Sequence, residues 1–273
     1  MSDKLVIYHG SCTDGFTAAW VARTALGPDV EYVEGRYQTS QELNVEGKDV
    51  LVFDFSFPRK DTLRLAAAAR SFKVIDHHDS AEKDVGDLKF CYFDQTKSGA
   101  MLAWDHFYDE EPPLLVKYVQ DRDLWHHALP HTREISALIN SYERTWENWS
   151  ALSSQLDMSF ASSVREGSAL LRQRRRNIAS LTKHAQLMTF AGYDEVPVVN
   201  TPGFFVSELC HDLAETAKHH FAVGWSQGSD GRFKYSLRSV GDMDVSALCF
   251  KFGGGGHKHS AGFVSNSAPW EIV

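Results

Sequence analysis

The sequence predicts an α/β chain with two domains. A mostly parallel sheet carries helices on both faces, and a smaller α/β domain follows it through a helical linker. Three observations predict this. The chain has 273 residues, which is long for one ordinary domain and comfortable for two. Its first half alternates short apolar runs with helical stretches, the rhythm of βα units. Residues 163–187 then run without proline and with a single glycine, as a connecting helix would.

The elements follow in order. LVIY at 5–8 reads as a buried strand and 16–26 as an alanine-rich helix. A weaker strand follows at 30–33, and DVLVF at 49–53 is a strong buried strand. A helix is expected at 59–70, a short apolar strand at 72–75 and a further one at 89–93. From 98 to about 140 the patterns are mainly helical. These elements make a first domain over 1–162, with a helical linker at 163–188. The second domain is expected at 189–273, with strand character at 196–200, 221–225 and 232–238 and helix character at 206–218 and 245–250. There is no internal repeat.

Composition narrows the function. Hydrophobic residues make up 43% and charged residues 23% of the chain, as in a globular protein. The net charge of -8 argues against long DNA or RNA, whose binders neutralise phosphates with a basic surface. The expected second domain, with six Lys/Arg and nine Asp/Glu, is no basic grip. The RQRRR run at 172–176 reads as a solvated helix face. The apolar run at 5–8 is too short for a signal-peptide core, and no run approaches the ~20 apolar residues of a membrane span. Cys12, Cys91, Cys210 and Cys249 form no CxxC pair and read as thiols. A cytoplasmic protein is therefore expected, without a membrane partner; the sequence allows a homodimer without requiring one.

Acids and histidines recur where strands end. His9, Cys12 and Asp14 follow the first expected strand and Asp54 the third. Asp76, His77 and His78 follow the fourth, and Asp121 and Asp123 lie in VQDRDLW. In an open parallel sheet the strand C-termini form one rim, where ligands bind. Carboxylates and imidazoles suit hard and borderline divalent cations. A pair of such ions can drive in-line displacement at phosphorus. Singly, an Asp after a strand is as well explained as a helix N-cap and a lone His as a packed residue. Repetition after three strands favours a site.

These residues resemble the DHH phosphoesterase family. Asp76-His77-His78 matches the name-giving triplet. The stretch His9 to Gly15 is similar to its first motif, Asp54 in VFDFSF to its second and Asp121 in QDRDLW to its fourth. GGGGHKHSAGF at 253–263 resembles the glycine-rich signature of the accompanying DHHA1 domain. The resemblance implies two manganese ions, with magnesium allowed. His9 and Cys12 would hold one, Asp14, His77 and Asp121 the other, and Asp54 would bridge them. His78 would face the substrate phosphate or assist the leaving group. Asp76 would orient a ligand histidine. Catalysis would therefore fall on His78, Asp76 and Asp54.

Cys12 departs from the family, which usually has aspartate there, and one extra residue separates it from His9. Either Cys12 ligates as a thiolate, or the first ion is weak or arrives with substrate; the altered spacing favours the second. Between Asp121 and Asp123, Asp121 matches the motif better.

For substrate, Gly253, Gly254, Gly255, Gly256 and His257 can present unobstructed backbone N–H groups to an anion, and Arg238 suits phosphate. The plainer reading of the glycines is a flexible turn. The resemblance implies that this region, with Arg238 and Ser239, grips the far end of the substrate across an interdomain cleft. The helix start after 94–99 would attract phosphate, but capping by Thr96 or Ser98 explains it more simply. Trp146 and Trp149 read as packing residues. His126, His127, His131, His219 and His220 lack an ordered acidic context.

The expected activity is hydrolysis of short linear oligonucleotides or dinucleotides to nucleoside monophosphates, as in oligoribonucleases of the nanoRNase kind. A phosphatase of bisphosphorylated nucleotides, a pyrophosphate or polyphosphate hydrolase and a non-catalytic nucleotide-binding protein are the alternatives.

Overall fold

A computed structural model describes residues 3–10, 12–36, 40 and 42–272. The chain divides into two compact units, 1–172 and 173–273. The division falls inside one long helix, α8 (Phe160–Thr182).

The first unit is built on a five-stranded, all-parallel sheet. Its strands are β1 (Lys4–His9), β2 (Glu31–Gly35), β3 (Asp49–Phe53), β4 (Ser71–Asp76) and β5 (Cys91–Phe93), in the order β2-β1-β3-β4-β5. Parallel strands need crossover connections. These are supplied by α1 (Thr13–Leu26), α2 (Arg59–Ala68) and α3 (Asp79–Val85), with α4 (Gly99–Phe107) after β5. The central strands read as continuous apolar runs because both faces are covered. In β1, Val6 and Tyr8 enter one core, with α1, α4 and the later helices. Leu5 and Ile7 enter the other, with Leu65 of α2. Each such side chain, fully buried, contributes roughly 1.5–3 kcal/mol.

The helical region consists of α4, α5 (Leu114–Asp123), α6 (Thr132–Ile139) and α7 (Trp146–Met158). Trp149 is buried and donates to the Thr17 hydroxyl at 2.9 Å. Trp146 stacks on Phe16 at 4.8 Å. Both tryptophans therefore pack, as expected.

The second unit carries a six-stranded sheet in the order β10-β11-β9-β8-β7-β6. Its strands are β6 (Gln186–Phe190), β7 (Tyr193–Asn200), β8 (Phe221–Gln227), β9 (Phe233–Ser239), β10 (Gly255–His257) and β11 (Ser260–Ser265). Only β7 and β8 pair in parallel; the other neighbours are antiparallel. Helix α9 (Val206–Thr216) covers one face, with Val199 and Ala222 beneath it. Helix α10 (Val245–Phe250) packs on the other, over Tyr235, Leu237 and Phe263.

Two expectations shift. The helix expected over 163–187 starts three residues earlier and ends at Thr182, and β6 begins at Gln186. The glycine run is also more ordered than a turn. Gly255 and Gly256 belong to β10, which pairs with β11. A Cβ on Gly254 would lie 2.1 Å from the Gly262 carbonyl oxygen, so only glycine allows that approach. Among the described residues no helix is long and apolar enough to cross a membrane.

Candidate metal centre

Register brings the first residues together. Tyr8 pairs with Phe53 and Phe53 with Ile75. The next residue of each strand path is therefore His9, Asp54 and Asp76, side by side on the rim. Asp54 sits at φ 55°, a left-handed conformation that Asp tolerates better than most residues. Its N–H still bonds the Ile75 carbonyl at 3.0 Å.

Two donor groups meet at Asp54. One comprises His9, Cys12 and Asp54, the other Asp14, His77 and Asp123; in each, one ligand atom per residue lies within 4.8 Å of the others. Asp54 Oδ1 lies 3.0 Å from His77 Nε2, and Asp54 Oδ2 lies 3.5 Å from His9 Nδ1. His77 Nε2 is also 3.8 Å from Asp14 and 3.7 Å from Asp123. Asp14 and Asp54 are each 1% exposed and His77 2%. Asp54 Oδ2 and His9 Nδ1 are buried with no hydrogen-bond partner among the described residues. A buried carboxylate oxygen without a donor costs free energy, and a cation there removes that cost. The nitrogen, oxygen and sulfur donors fit divalent ions.

Charge in the group is balanced by protons as well. Burial and the charges of Asp54 and Asp123 push Asp14 well above the usual carboxylate range. Burial would also raise Asp54, but the His77 and His9 imidazoles hold it below that range. Burial disfavours protonated His77, yet Asp54, with help from Asp123 and Asp14, lifts it to about 10. His9 is lifted to about 12 against burial by Asp54 and Cys12. A cation entering such a group competes with these protons.

Neighbouring elements hold the ligands. Asp14 accepts from Gly99 N–H at 2.6 Å and Ala100 N–H at 3.1 Å, at the N-terminus of α4. The helix end that would attract phosphate thus binds an internal carboxylate, and Ser98 caps it by accepting from Met101 N–H. Two glycines permit the crowding. A Cβ on Gly99 would lie 2.3 Å from Asp54 Cβ, and one on Gly15 2.4 Å from the His9 carbonyl oxygen.

Asp76 is buried and accepts from the Ser56 hydroxyl at 2.6 Å and the His77 N–H at 2.7 Å. Its side-chain histidine partner is His78, at 2.7 Å through Nδ1. Sequence reasoning had Asp76 orienting a metal-ligand histidine; the geometry gives it His78, while His77 faces Asp54. Burial opposes ionisation of Asp76, but His78 and the hydrogen bonds hold its carboxyl below the usual range.

Asp123, rather than the Asp121 chosen from the motif, stands beside His77. Asp121 accepts from Ala128 N–H at 2.9 Å, Leu129 N–H at 3.1 Å and the Thr132 hydroxyl. It ties the loop after α5 to the start of α6. On a helix, two residues apart means about 200° of rotation, so the two carboxylates face opposite ways.

In the second unit, Arg238 pairs with Ser260 across β9 and β11, and Ser260 with His257 across β11 and β10. Directly paired residues share a face, so the three form one polar row. Arg238 donates to the Ser207 hydroxyl of α9 at 3.0 Å, which orients it. Ser260 was not singled out from the sequence; it faces His257 because residues 258–259 form a two-residue hairpin turn between β10 and β11. Ser239 lies on the opposite face and donates to the Met243 carbonyl at 2.7 Å, a structural bond at the strand end.

A comparison with protein-family models finds no match. Over 305 aligned positions the chain is 28% identical to uncharacterized protein R106 of Acanthamoeba polyphaga mimivirus, covering 98% of this chain and 70% of that protein. Among solved structures, a pGpG-specific phosphodiesterase, PggH, from Vibrio cholerae aligns with TM-score 0.49 at 11% identity, over 96% of this chain and 92% of that one. An exopolyphosphatase-related protein from Bacteroides fragilis aligns with TM-score 0.55 at 14% identity, over 99% of this chain and 89% of the other. At that identity the likeness reaches the fold, and the α/β architecture described above is shared with the Bacteroides protein.

Proposed function

We propose that the chain is a phosphoesterase that depends on divalent cations, manganese or magnesium, and hydrolyses short nucleotide substrates such as linear dinucleotides and short oligonucleotides. One observation carries the reading: Asp54, buried and with an oxygen that lacks a hydrogen-bond donor, stands between two groups of metal-type donors on the rim of a parallel sheet. Cations held by these residues would lower the pKa of water and offset charge developing at phosphorus.

The protein's own groups do the rest. Asp54 turns Oδ2 toward His9 and Oδ1 toward His77, 3.0 Å away. Asp14 is held in place by α4, and His77 is fixed by Asp54. Asp76 orients the His78 imidazole, whose ring centroid lies 5.5 Å from that of His9 and 4.8 Å from that of His77. His78 is thereby a candidate to donate a proton to the leaving oxygen. In the second unit, the Arg238–Ser260–His257 row offers donors to a phosphate. The acidic net charge of -8 favours a short substrate over a long strand.

The alternative is a hydrolase of polyphosphate or pyrophosphate, which the description of the Bacteroides fragilis protein as exopolyphosphatase-related brings forward. A panel of linear dinucleotides, short RNA, a bisphosphorylated nucleotide, pyrophosphate and polyphosphate, each with manganese or magnesium, separates the readings by product chromatography. Release of nucleoside monophosphates, abolished in Asp54→Ala, is expected. No hydrolysis of any phosphate ester or anhydride would leave a nucleotide-binding protein instead.

A further inference from the structure

The two donor groups differ chemically. One offers an imidazole, a sulfur and a carboxylate: His9, Cys12 and Asp54. The other offers an imidazole and carboxylates: Asp14, His77 and Asp123, with Asp54 Oδ1 3.0 Å from His77. Cys12 stands at the N-cap of α1, where a side chain commonly bonds the helix N–H groups, yet its sulfur makes no capping bond. Its Sγ lies within 4.8 Å of a His9 ring nitrogen and an Asp54 carboxylate oxygen. Asp54 Oδ2 is buried and, although 3.5 Å from His9 Nδ1, accepts no hydrogen bond there, a second sign of a ligand at this place. The extra residue between His9 and Cys12 does not carry the sulfur away.

Resting on the metal-dependent reading above, we propose that Cys12 is a metal ligand and that the centre takes two different cations. The His9–Cys12–Asp54 group takes a thiophilic borderline ion such as zinc, ferrous iron or cobalt. The Asp14–His77–Asp123 group takes a hard ion such as manganese or magnesium. Thiolate favours softer ions, and carboxylate-rich sets favour harder ones.

Cobalt is the probe, because a cobalt–thiolate bond absorbs in the near ultraviolet and no activity is needed to see it. Wild-type protein titrated with Co2+ alone is expected to develop this charge-transfer band. Cys12→Ser is expected to lose the band and keep the folded circular-dichroism spectrum, and Asp123→Ala is expected to keep the band. Cys12→Asp is expected to shift the ratio of Co2+ to Mn2+ affinity toward manganese by at least about tenfold, comparable to the 10–100-fold effect of altering even an outer partner of a metal ligand. A band absent from wild type, or persisting in Cys12→Ser, overturns the proposal. Calorimetric stoichiometry separates the two failures. Two ions bound without a band sinks only the role of Cys12; no ion bound sinks the metal reading beneath it as well.

Discussion

Asp121 and Asp123 lie two residues apart in one acidic pair, and the structure gives them different surroundings: Asp121 accepts from the loop after α5, and Asp123 stands 3.7 Å from His77. Replacing Asp121 with alanine removes a buried acceptor, 6% exposed, of three hydrogen bonds. The Thr132 hydroxyl can turn to the Leu129 carbonyl, 3.0 Å away, and Ala128 lies near solvent, where water can replace its lost bond. What remains is mainly the Leu129 N–H and the loss of charge-assisted bonding, worth about 1.5–3 kcal/mol per bond. A loss of about 3 kcal/mol is expected, equivalent to a fall of about 6–12 °C in melting temperature. Asp123 has a side chain 28% exposed, and its alanine variant should stay within about 0.5 kcal/mol of wild type. Metal binding should invert the order. Mn2+ raises the melting temperature by mass action, and the rise should survive in Asp121→Ala and shrink in Asp123→Ala.

The acid limb gives a second readout of the same residue. Hydrogen bonds from Thr132, Ala128 and Leu129 overcome burial and hold the Asp121 carboxyl below its ordinary value. A depressed folded pKa contributes stability that is present above the unfolded value, about 3.9, and is lost as pH falls through the folded one. Asp121→Asn should flatten the fall in stability below about pH 4. The assay is thermal and urea unfolding with and without Mn2+, repeated across pH. If Asp121→Ala unfolds like wild type but no longer responds to Mn2+, while Asp123→Ala responds fully, the assignment is refuted.

Three further outcomes follow from the same geometry. Gly99→Ala places a Cβ 2.3 Å from Asp54 Cβ, so urea unfolding should show a loss of about 1–3 kcal/mol from overpacking and calorimetry a weakened Mn2+ site. Because His77 is lifted to about 10, Mn2+ must displace its proton at neutral pH. Affinity should fall about tenfold per unit of falling pH for each proton released, and titrations in buffers of different ionisation heat should detect the release; pH-independent affinity between 6 and 8 would contradict this. Arg238→Ala should weaken binding of a short nucleotide by about tenfold or more while leaving Mn2+ stoichiometry unchanged, and equal Michaelis constants for variant and wild type would remove Arg238 from substrate recognition.

What could be read from the chain, and what could not, has a physical basis. Strands β1, β3 and β4 are buried on both faces, so their apolar runs stand out. The polar residues ending them, His9, Asp54 and Asp76, stand out for the same reason. Strands β6 and β10 lie at sheet edges, where half or more of the side chains escape burial, and no apolar pattern marks them. The choice between Asp121 and Asp123 was hidden for a different reason. Both occupy the last turn of α5, and periodicity cannot tell which side of that turn meets the rim. The loop decides it. Trp125, His127 and His131 adopt left-handed conformations with φ of 58°, 50° and 64°, and that path carries the N–H groups of Ala128 and Leu129 back onto Asp121.

Residues at strand ends are placed by the sheet, and residues elsewhere are not. A parallel sheet converts sequence distance into adjacency through its register. Tyr8, Phe53 and Ile75 are separated by tens of residues, yet pairing across β1, β3 and β4 places them in one line. A slip of one residue in any of these strands would send its apolar side chains to the wrong core, so burial of Val6, Val52 and Val74 fixes where the acids emerge. The hydrophobic cores therefore set the geometry of the metal-type donors before any cation binds. Cys12, Asp14 and Asp123 are reached instead through loops and helices. Two of these three are the positions that the sequence left open: sulfur stands at position 12, and Asp123 stands 3.7 Å from His77 where the motif favours Asp121.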